Sequence, residues 1–111
     1  MPHCIIEYSR PLTEKEQVDN IQKAVLQGCL TAQLFSPEDI KLRSIPFDDY
    51  RLMGGHEHFI HVTVKMLSGR TPEQRQTLSE SVLSALTQLK LMNTSLTVEI
   101  SDLERESYTK G

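Results

Sequence analysis

Hydrophobic and polar residues alternate most regularly over residues 59–66, which read Phe-Ile-His-Val-Thr-Val-Lys-Met. Every second residue from Ile60 to Met66 is apolar, so this segment is predicted to be a strand with one buried face. Shorter alternating runs at residues 40–45 and 96–100 predict two more strands. The apolar N-terminal run over residues 2–8 predicts a fourth.

The predicted strands at residues 2–8 and 40–45 are separated by a segment with the periodicity of an amphipathic helix. Its apolar positions recur at steps of three and four residues: Val18, Ile21, Val25 and Cys29. Thr13 with Glu16 three residues later predicts a capping box at the helix start. Pro37 disfavours helix in the residue before it, so the helix is predicted to end before residues 35–37.

The predicted strands at residues 59–66 and 96–100 are separated by a second predicted helix, which follows a turn at residues 68–70. Thr71 as N-cap, Pro72 at the first helical position and Gln74 at the third form a strong start signal. The predicted buried stripe consists of Leu78, Val82, Ala85, Leu86 and Leu89.

The order strand–helix–strand therefore occurs twice, which predicts an α+β fold built from two βαβ repeats with right-handed crossovers. We expect a single domain over residues 1–111, with repeats at roughly 2–46 and 58–103 and a loop over 46–57 that contains Gly54 and Gly55. The repeats should form a four-stranded mixed sheet with both helices on one face. We expect the other face to carry apolar side chains that self-association into a closed ring would bury.

Composition limits the possible partners. The 111 residues are 38% hydrophobic, contain no Trp and carry a net charge of −3, which predicts neither nucleic-acid nor anionic-membrane binding. No apolar run is long enough to span a membrane, and we expect a cytoplasmic domain. Cys4 and Cys29 lack CxxC spacing and are predicted to be isolated core residues in a reducing compartment.

Pro2 is the residue with the most unusual chemistry, because removal of Met1 would leave its nitrogen as a free secondary amine. An α-amino group titrates near pH 8, and partial burial lowers its pKa toward neutrality. A general base is most effective when its pKa lies near the working pH. The sequence therefore makes Pro2 a candidate general base.

Two stretches of the chain resemble a known family. Residues 68–74, Ser-Gly-Arg-Thr-Pro-Glu-Gln, are similar to the corresponding turn and helix start of 4-oxalocrotonate tautomerase. The start Met-Pro-His-Cys-Ile-Ile-Glu-Tyr-Ser, together with Phe35, residues 40–43 and the run 61–70, resembles the 5-carboxymethyl-2-hydroxymuconate isomerases of the tautomerase superfamily. The resemblance covers nearly the full length of the chain.

This resemblance implies a tautomerase/MIF-like homotrimer without a metal or organic cofactor, in which Pro2 carries a proton. It also implies an unsaturated 2-hydroxy or 2-oxo dicarboxylate as substrate, most specifically 5-carboxymethyl-2-hydroxymuconate in homoprotocatechuate breakdown. The alternatives are another activity of the superfamily, such as decarboxylation or dehalogenation, and a non-catalytic trimer that binds a small acid or a protein.

A substrate of this kind requires cationic partners, because guanidinium groups bind carboxylates in a planar, bidentate manner. Arg70, between a strand end and a helix start, matches the arginine of the family turn. Lys41 stands where the isomerases are expected to have arginine, and Arg43 lies on the same strand face. Either could be the second cation, with Arg43 preferred for its guanidinium. Phe59 is a candidate to line the pocket.

Other chemistries fit the sequence less well. His56, Glu57, His58 and His61 suggest a metal site, but strand alternation places His58 and His61 on opposite faces. Ser9 and Ser68 have no histidine and acid arranged for nucleophilic attack, which argues against a hydrolase.

Overall fold

The computed structural model describes residues 1–111 and consists of six main elements: β1 (His3–Ser9), α1 (Val18–Thr31), β2 (Lys41–Phe47), β3 (His58–Leu67), α2 (Pro72–Thr87) and β4 (Thr94–Leu103). The sheet order is β2-β1-β3-β4. The outer pairs β1–β2 and β3–β4 are parallel, and the central pair β1–β3 is antiparallel. This is the predicted four-stranded mixed sheet. Neither α-helix has the length and apolar character needed to span a bilayer.

The hydrophobic core lies between one face of the sheet and the two helices, as the periodicity predicts. β3 contributes the alternating residues Ile60, Val62, Val64 and Met66, all at most 1% exposed. The helices contribute a second layer, formed by Ile21, Val25, Cys29, Leu78, Val82 and Leu86. β2 is an edge strand and extends through Pro46, which edge positions tolerate because they need no ladder donor there.

The predicted start of α2 is confirmed and the predicted start of α1 is wrong. Thr71 and Gln74 form a reciprocal capping box, with Thr71 Oγ1 accepting from the Gln74 amide at 3.1 Å. Thr13 instead lies in a 3₁₀ helix over Arg10–Glu14 and donates its hydroxyl to the Arg10 carbonyl. Leu12 is fully buried and anchors this 3₁₀ turn, so α1 begins only at Val18.

The two helices approach each other closely at Gly28. A Cβ atom at this position would lie 2.6 Å from the Cα atom of Val82, which leaves no room for a side chain. At the same contact, the Ser81 hydroxyl donates to the Gly28 carbonyl oxygen at 2.7 Å. The absence of a side chain at residue 28 therefore sets the spacing between α1 and α2.

The prediction that the two cysteines are core residues is confirmed, but they are not isolated thiols. Cys4 on β1 and Cys29 on α1 are both fully buried, and their Sγ atoms lie 3.6 Å apart. Both remain free thiols. The pair forms because β1 packs against the last turns of α1. The two cysteines are 25 residues apart in sequence, so the sequence alone does not predict this contact.

The sheet face opposite the helices carries apolar side chains, as expected, but more of its side chains are polar or charged. The apolar residues on this face are Ile5, Ile45, Phe47, Phe59, Leu67 and Leu103. The polar and charged residues are His3, Glu7, Lys41, Arg43, His61, Thr63, Lys65, Ser95, Thr97, Glu99 and Ser101. The strict alternation that buries one face of β3 leaves polar residues on the other.

Candidate active site

The topology brings four strand ends to the same edge of the sheet. Because the central pair is antiparallel, β1 and β2 begin where β3 and β4 end. His3 lies opposite Lys65 in this register, and extending the register by two residues sets Met1 opposite Leu67. The N-terminus of the chain therefore lies beside the turn that carries Arg70.

A pocket of about 240 Å³ lies at this edge. Its lining combines an apolar floor with two guanidinium groups and comes from four separate parts of the chain: Met1, Phe35, Met66, Leu67, Arg70 and Arg105. Larger depressions of about 490 and 480 Å³ lie along the helices, but each has only one hydrophobic residue in its lining. The pocket at the N-terminus differs in combining four hydrophobic residues with two arginines.

Arg70 is held in place from several directions. Gly69 before it has φ +119°, a left-handed conformation that favours glycine, and Thr71 after it caps α2. The Arg70 Nη2 donates to the Leu34 carbonyl oxygen at 2.9 Å, and the guanidinium carbon lies 5.8 Å from the Phe35 ring centroid. Arg70 forms no ion pair with a carboxylate, so most of its donors remain available to an anion.

The N-terminal segment is fixed against β2. The Met1 amine donates to the Asp39 carbonyl oxygen at 2.8 Å, and the Lys41 amide donates to the Pro2 carbonyl oxygen at 3.0 Å. Pro2 is buried. Desolvation lowers the pKa of the Met1 amine from its ordinary value, Asp39 opposes this change, and the charges of Lys41 and Lys110 add to it. An amine at this position is therefore biased toward its neutral, basic form.

Arg105 is a pocket residue that the sequence did not reveal. It lies in the turn after β4, and its Nε and Nη2 both donate to the Ser68 carbonyl oxygen, at 3.1 and 2.8 Å. The signal that could have identified it is the parallel pairing of β3 and β4, which places residues after both strand ends at the same edge.

Lys41 and Arg43 lie on the sheet face opposite the helices, outside this pocket. Arg43 Nη1 lies 3.2 Å from His3 Nδ1, and His3 Nε2 lies 3.0 Å from the Tyr108 hydroxyl oxygen. Desolvation, followed by the charges of Arg43 and Lys41, lowers the pKa of His3. Within one chain, the structure does not bring Arg43 together with Arg70.

Phe59 belongs to a different region of the chain. Its ring contacts those of Tyr50 and Phe47, with centroids 5.3 and 6.0 Å apart. Six strand positions separate Phe59 from Lys65, the residue opposite His3, which corresponds to roughly 20 Å along β3. Phe59 could therefore line the N-terminal pocket only from a neighbouring copy of the chain.

The histidines do not converge on a metal site. His61 lies on the polar sheet face, where its Nε2 lies 2.6 Å from Glu99 Oε2. His58 is buried on the opposite face, and no group of three or more His, Cys, Asp or Glu side chains could hold an ion.

His58 and Glu57 lie near Ser9, one of the two serines for which the sequence predicts no nucleophilic arrangement. Ser9 Oγ lies 3.5 Å from His58 Nδ1, and His58 Nε2 lies 3.9 Å from Glu57 Oε2. The serine is fully buried, and its hydroxyl accepts a hydrogen bond from the Phe59 amide at 3.2 Å. A substrate carbonyl cannot reach it, so the grouping is structural.

Taken together, the pocket has the first residue of the chain in its lining, with an amine whose pKa is lowered, two guanidinium groups without carboxylate partners and an apolar floor. Such a site can bind an organic acid and accept a proton from it. A guanidinium near a developing negative charge also stabilises an enolate.

Comparisons with known proteins agree with this geometry. The family model described as 5-carboxymethyl-2-hydroxymuconate isomerase matches residues 2–110. Among solved structures, the chain is similar to a 5-carboxymethyl-2-hydroxymuconate delta-isomerase, with 20% identity, a TM-score of 0.82 and coverage of 100% of this chain and 87% of that chain.

Two further structures extend the comparison. A 5-carboxymethyl-2-hydroxymuconate isomerase from Deinococcus radiodurans R1 is 25% identical, with a TM-score of 0.77 and coverage of 99% and 88% of the two chains. A malonate semialdehyde decarboxylase inhibited by 3-bromopropiolate is 16% identical, with a TM-score of 0.79 and coverage of 97% and 88%. No curated protein sequence matches the chain.

Proposed function

The chain belongs to the 5-carboxymethyl-2-hydroxymuconate isomerase family, and from this membership we propose that it is a cofactor-independent isomerase. It moves a proton within an unsaturated 2-hydroxy or 2-oxo dicarboxylate, with 5-carboxymethyl-2-hydroxymuconate, an intermediate of homoprotocatechuate breakdown, as substrate. The observation that carries this proposal is the pocket where the N-terminus meets two guanidinium groups without carboxylate partners.

Pro2 is the proposed general base, and it acts after Met1 has been removed. Met1 lines the pocket, so its loss would enlarge the cavity. We expect the Pro2 nitrogen, no longer part of an amide bond, to face the enlarged space. Because Pro2 is buried and the same cations lie nearby, we expect its amine to have a lowered pKa, as the Met1 amine does. A neutral amine takes a proton from one carbon and returns it to another, a role worth roughly 10² to 10⁴ in rate.

Arg70 is the proposed partner for the negative charge. Its hydrogen bond to Leu34 and its contact with the Phe35 ring hold the guanidinium in place before substrate arrives. A preorganised cation stabilises a dienolate more strongly than water can, because it need not reorient during the reaction. Lys41 or Arg43 would then act as a further cation from a neighbouring copy of the chain.

We also propose that the chain acts as a homotrimer that associates through the sheet face opposite the helices. This face holds Arg43 outside the pocket of its own chain, and it exposes 43% of Ile45. Sedimentation equilibrium would test this arrangement. A monomer that retains full activity would contradict it, because Arg43 and Phe59 could then not reach any pocket.

The experiment that tests the proposed function is ultraviolet-monitored ketonisation of 2-hydroxymuconate by protein whose N-terminus has been verified by mass. We expect Pro2→Ala and Arg70→Gln each to lower kcat/KM by about 10² or more. Arg10→Gln is the matched control, because Arg10 pairs with Asp48 at the opposite end of the sheet and should leave the rate unchanged. Unchanged activity in Pro2→Ala would contradict the assigned base.

A second candidate function applies to a form of the chain that retains Met1. With Met1 retained, the Pro2 nitrogen is an amide without basicity, and the Met1 amine is bonded to Asp39. In that form the pocket would be a non-catalytic site for small acids. Protein that begins at proline, binds 2-hydroxymuconate and gives no turnover would support this candidate over the isomerase. Turnover of malonate semialdehyde instead would indicate a decarboxylase of the same superfamily.

A further inference from the structure

Arg105 is held in the pocket by contacts that fix both its backbone and its side chain. The Ser68 amide donates to the Leu103 carbonyl oxygen at 3.1 Å, which joins the end of β4 to the turn after β3. Three residues beyond Arg105, the Tyr108 hydroxyl contacts the His3 ring. The C-terminal turn is therefore anchored on both sides.

The Arg105 side chain has spare hydrogen-bonding capacity. Nε and Nη2 share the Ser68 carbonyl oxygen, which leaves both protons of Nη1 and one proton of Nη2 without a partner in the chain. Arg105 forms no ion pair, although Glu104 and Glu106 adjoin it in sequence. A Cβ atom on Gly69 would lie only 3.5 Å from Arg105 Nη2, so the guanidinium lies directly over the turn that carries Arg70.

We propose that Arg105 is a second substrate-binding residue, which binds one carboxylate of a dicarboxylate while Arg70 binds the other. The substrate class rests on the function proposed above. Two guanidinium groups in one pocket of about 240 Å³ favour a dianion over a monoanion, because a monoanion would leave one of them unpaired. Arg105 thus makes the site selective for dicarboxylates.

Turnover of two matched dienols tests this selectivity. 2-Hydroxymuconate carries two carboxylates, and 2-hydroxy-2,4-pentadienoate is the same dienol with only one. In Arg105→Gln we expect kcat/KM for the dicarboxylate to fall about tenfold or more, with little change for the monocarboxylate. Arg105→Lys should keep part of the selectivity, because it retains charge but not the planar fork. Arg75→Gln, which alters a nearby arginine outside the pocket, should change neither rate.

Calorimetric binding separates failure of this inference from failure of the proposed function. The probes are muconate and sorbate, which share a six-carbon diene and differ by one carboxylate. Tighter binding of muconate that is lost in Arg105→Gln supports the proposal even if the protein shows no turnover. Wild-type turnover with unchanged selectivity in Arg105→Gln overturns it and leaves the isomerase intact. Equal losses for both probes, with a lower melting temperature, also overturn it, because Arg105 would then only clamp Ser68.

Discussion

Gly28→Ala tests whether the close contact between the helices is essential. The added Cβ would lie 2.6 Å from Val82 Cα and 3.0 Å from the Ser81 carbonyl oxygen, whereas carbon atoms pack best at about 3.5 to 4.0 Å. The helices would have to separate by about 1 Å. Overpacking of this kind costs about 1 to 3 kcal/mol, and loss of the 2.7 Å Ser81–Gly28 hydrogen bond adds about 1 kcal/mol.

Helix propensity acts in the opposite direction, since alanine favours a helix over glycine by about 1 kcal/mol. We therefore expect a net loss of about 2 kcal/mol in the free energy of unfolding, or about 8 °C in melting temperature. Denaturant unfolding at fixed protein concentration would measure it. Gly54→Ala is the matched control, because no heavy atom lies within 4 Å of its added Cβ. A Gly28→Ala protein as stable as wild type would refute the packing argument.

Three further predictions concern the helix start, His3 and the proposed base. Thr71→Ala should cost about 1 kcal/mol in unfolding free energy through loss of the capping box, and Thr13→Ala nearly nothing; equal losses would contradict the difference in capping. Arg43→Gln should raise the His3 pKa, measured by NMR titration, because a nearby positive charge is removed; an unchanged value would be inconsistent with this cause. For the chain that begins at Pro2, kcat/KM should fall as the pH drops through the pKa of the amine, because the protonated amine cannot accept a proton. We expect this pKa to lie below the ordinary value of an α-amino group, as it does for Met1. A kcat/KM that does not change down to about pH 5 would exclude this base.

Much of the fold could be predicted because its signals are local. The alternation in β3 follows from one buried and one exposed face, and the Thr71 start signal needs only four adjacent residues. Thr13 shows the limit of such signals. Its spacing to Glu16 fits a capping box, but burial of Leu12 in a 3₁₀ turn decides the local conformation instead. Burial of Leu12 is a tertiary interaction, and a short sequence motif does not predict it.

The candidate site was predictable only in part, for the same reason. Pro2 and Arg70 have recognisable positions, at the chain start and between a strand and a helix cap. Arg105 has no motif, and its place follows from the parallel register of β3 and β4. The contact between Ser9 and His58 likewise depends on the pairing of β1 with β3. Sequence reveals these residues only after strand order is known.

The buried cysteine pair gives the protein an internal reporter of its own opening. Cys4 and Cys29 are the only thiols, and both are fully buried. The hydrogen bond between them lowers the pKa of Cys4 and raises that of Cys29, and burial keeps reagents away from both thiols. A thiol reagent should therefore react only when α1 separates from the sheet, and the labelling rate measures the free energy of that separation. Because Cys4 is two residues from Pro2, the same measurement would show whether a ligand in the pocket restrains the motion of the first strand.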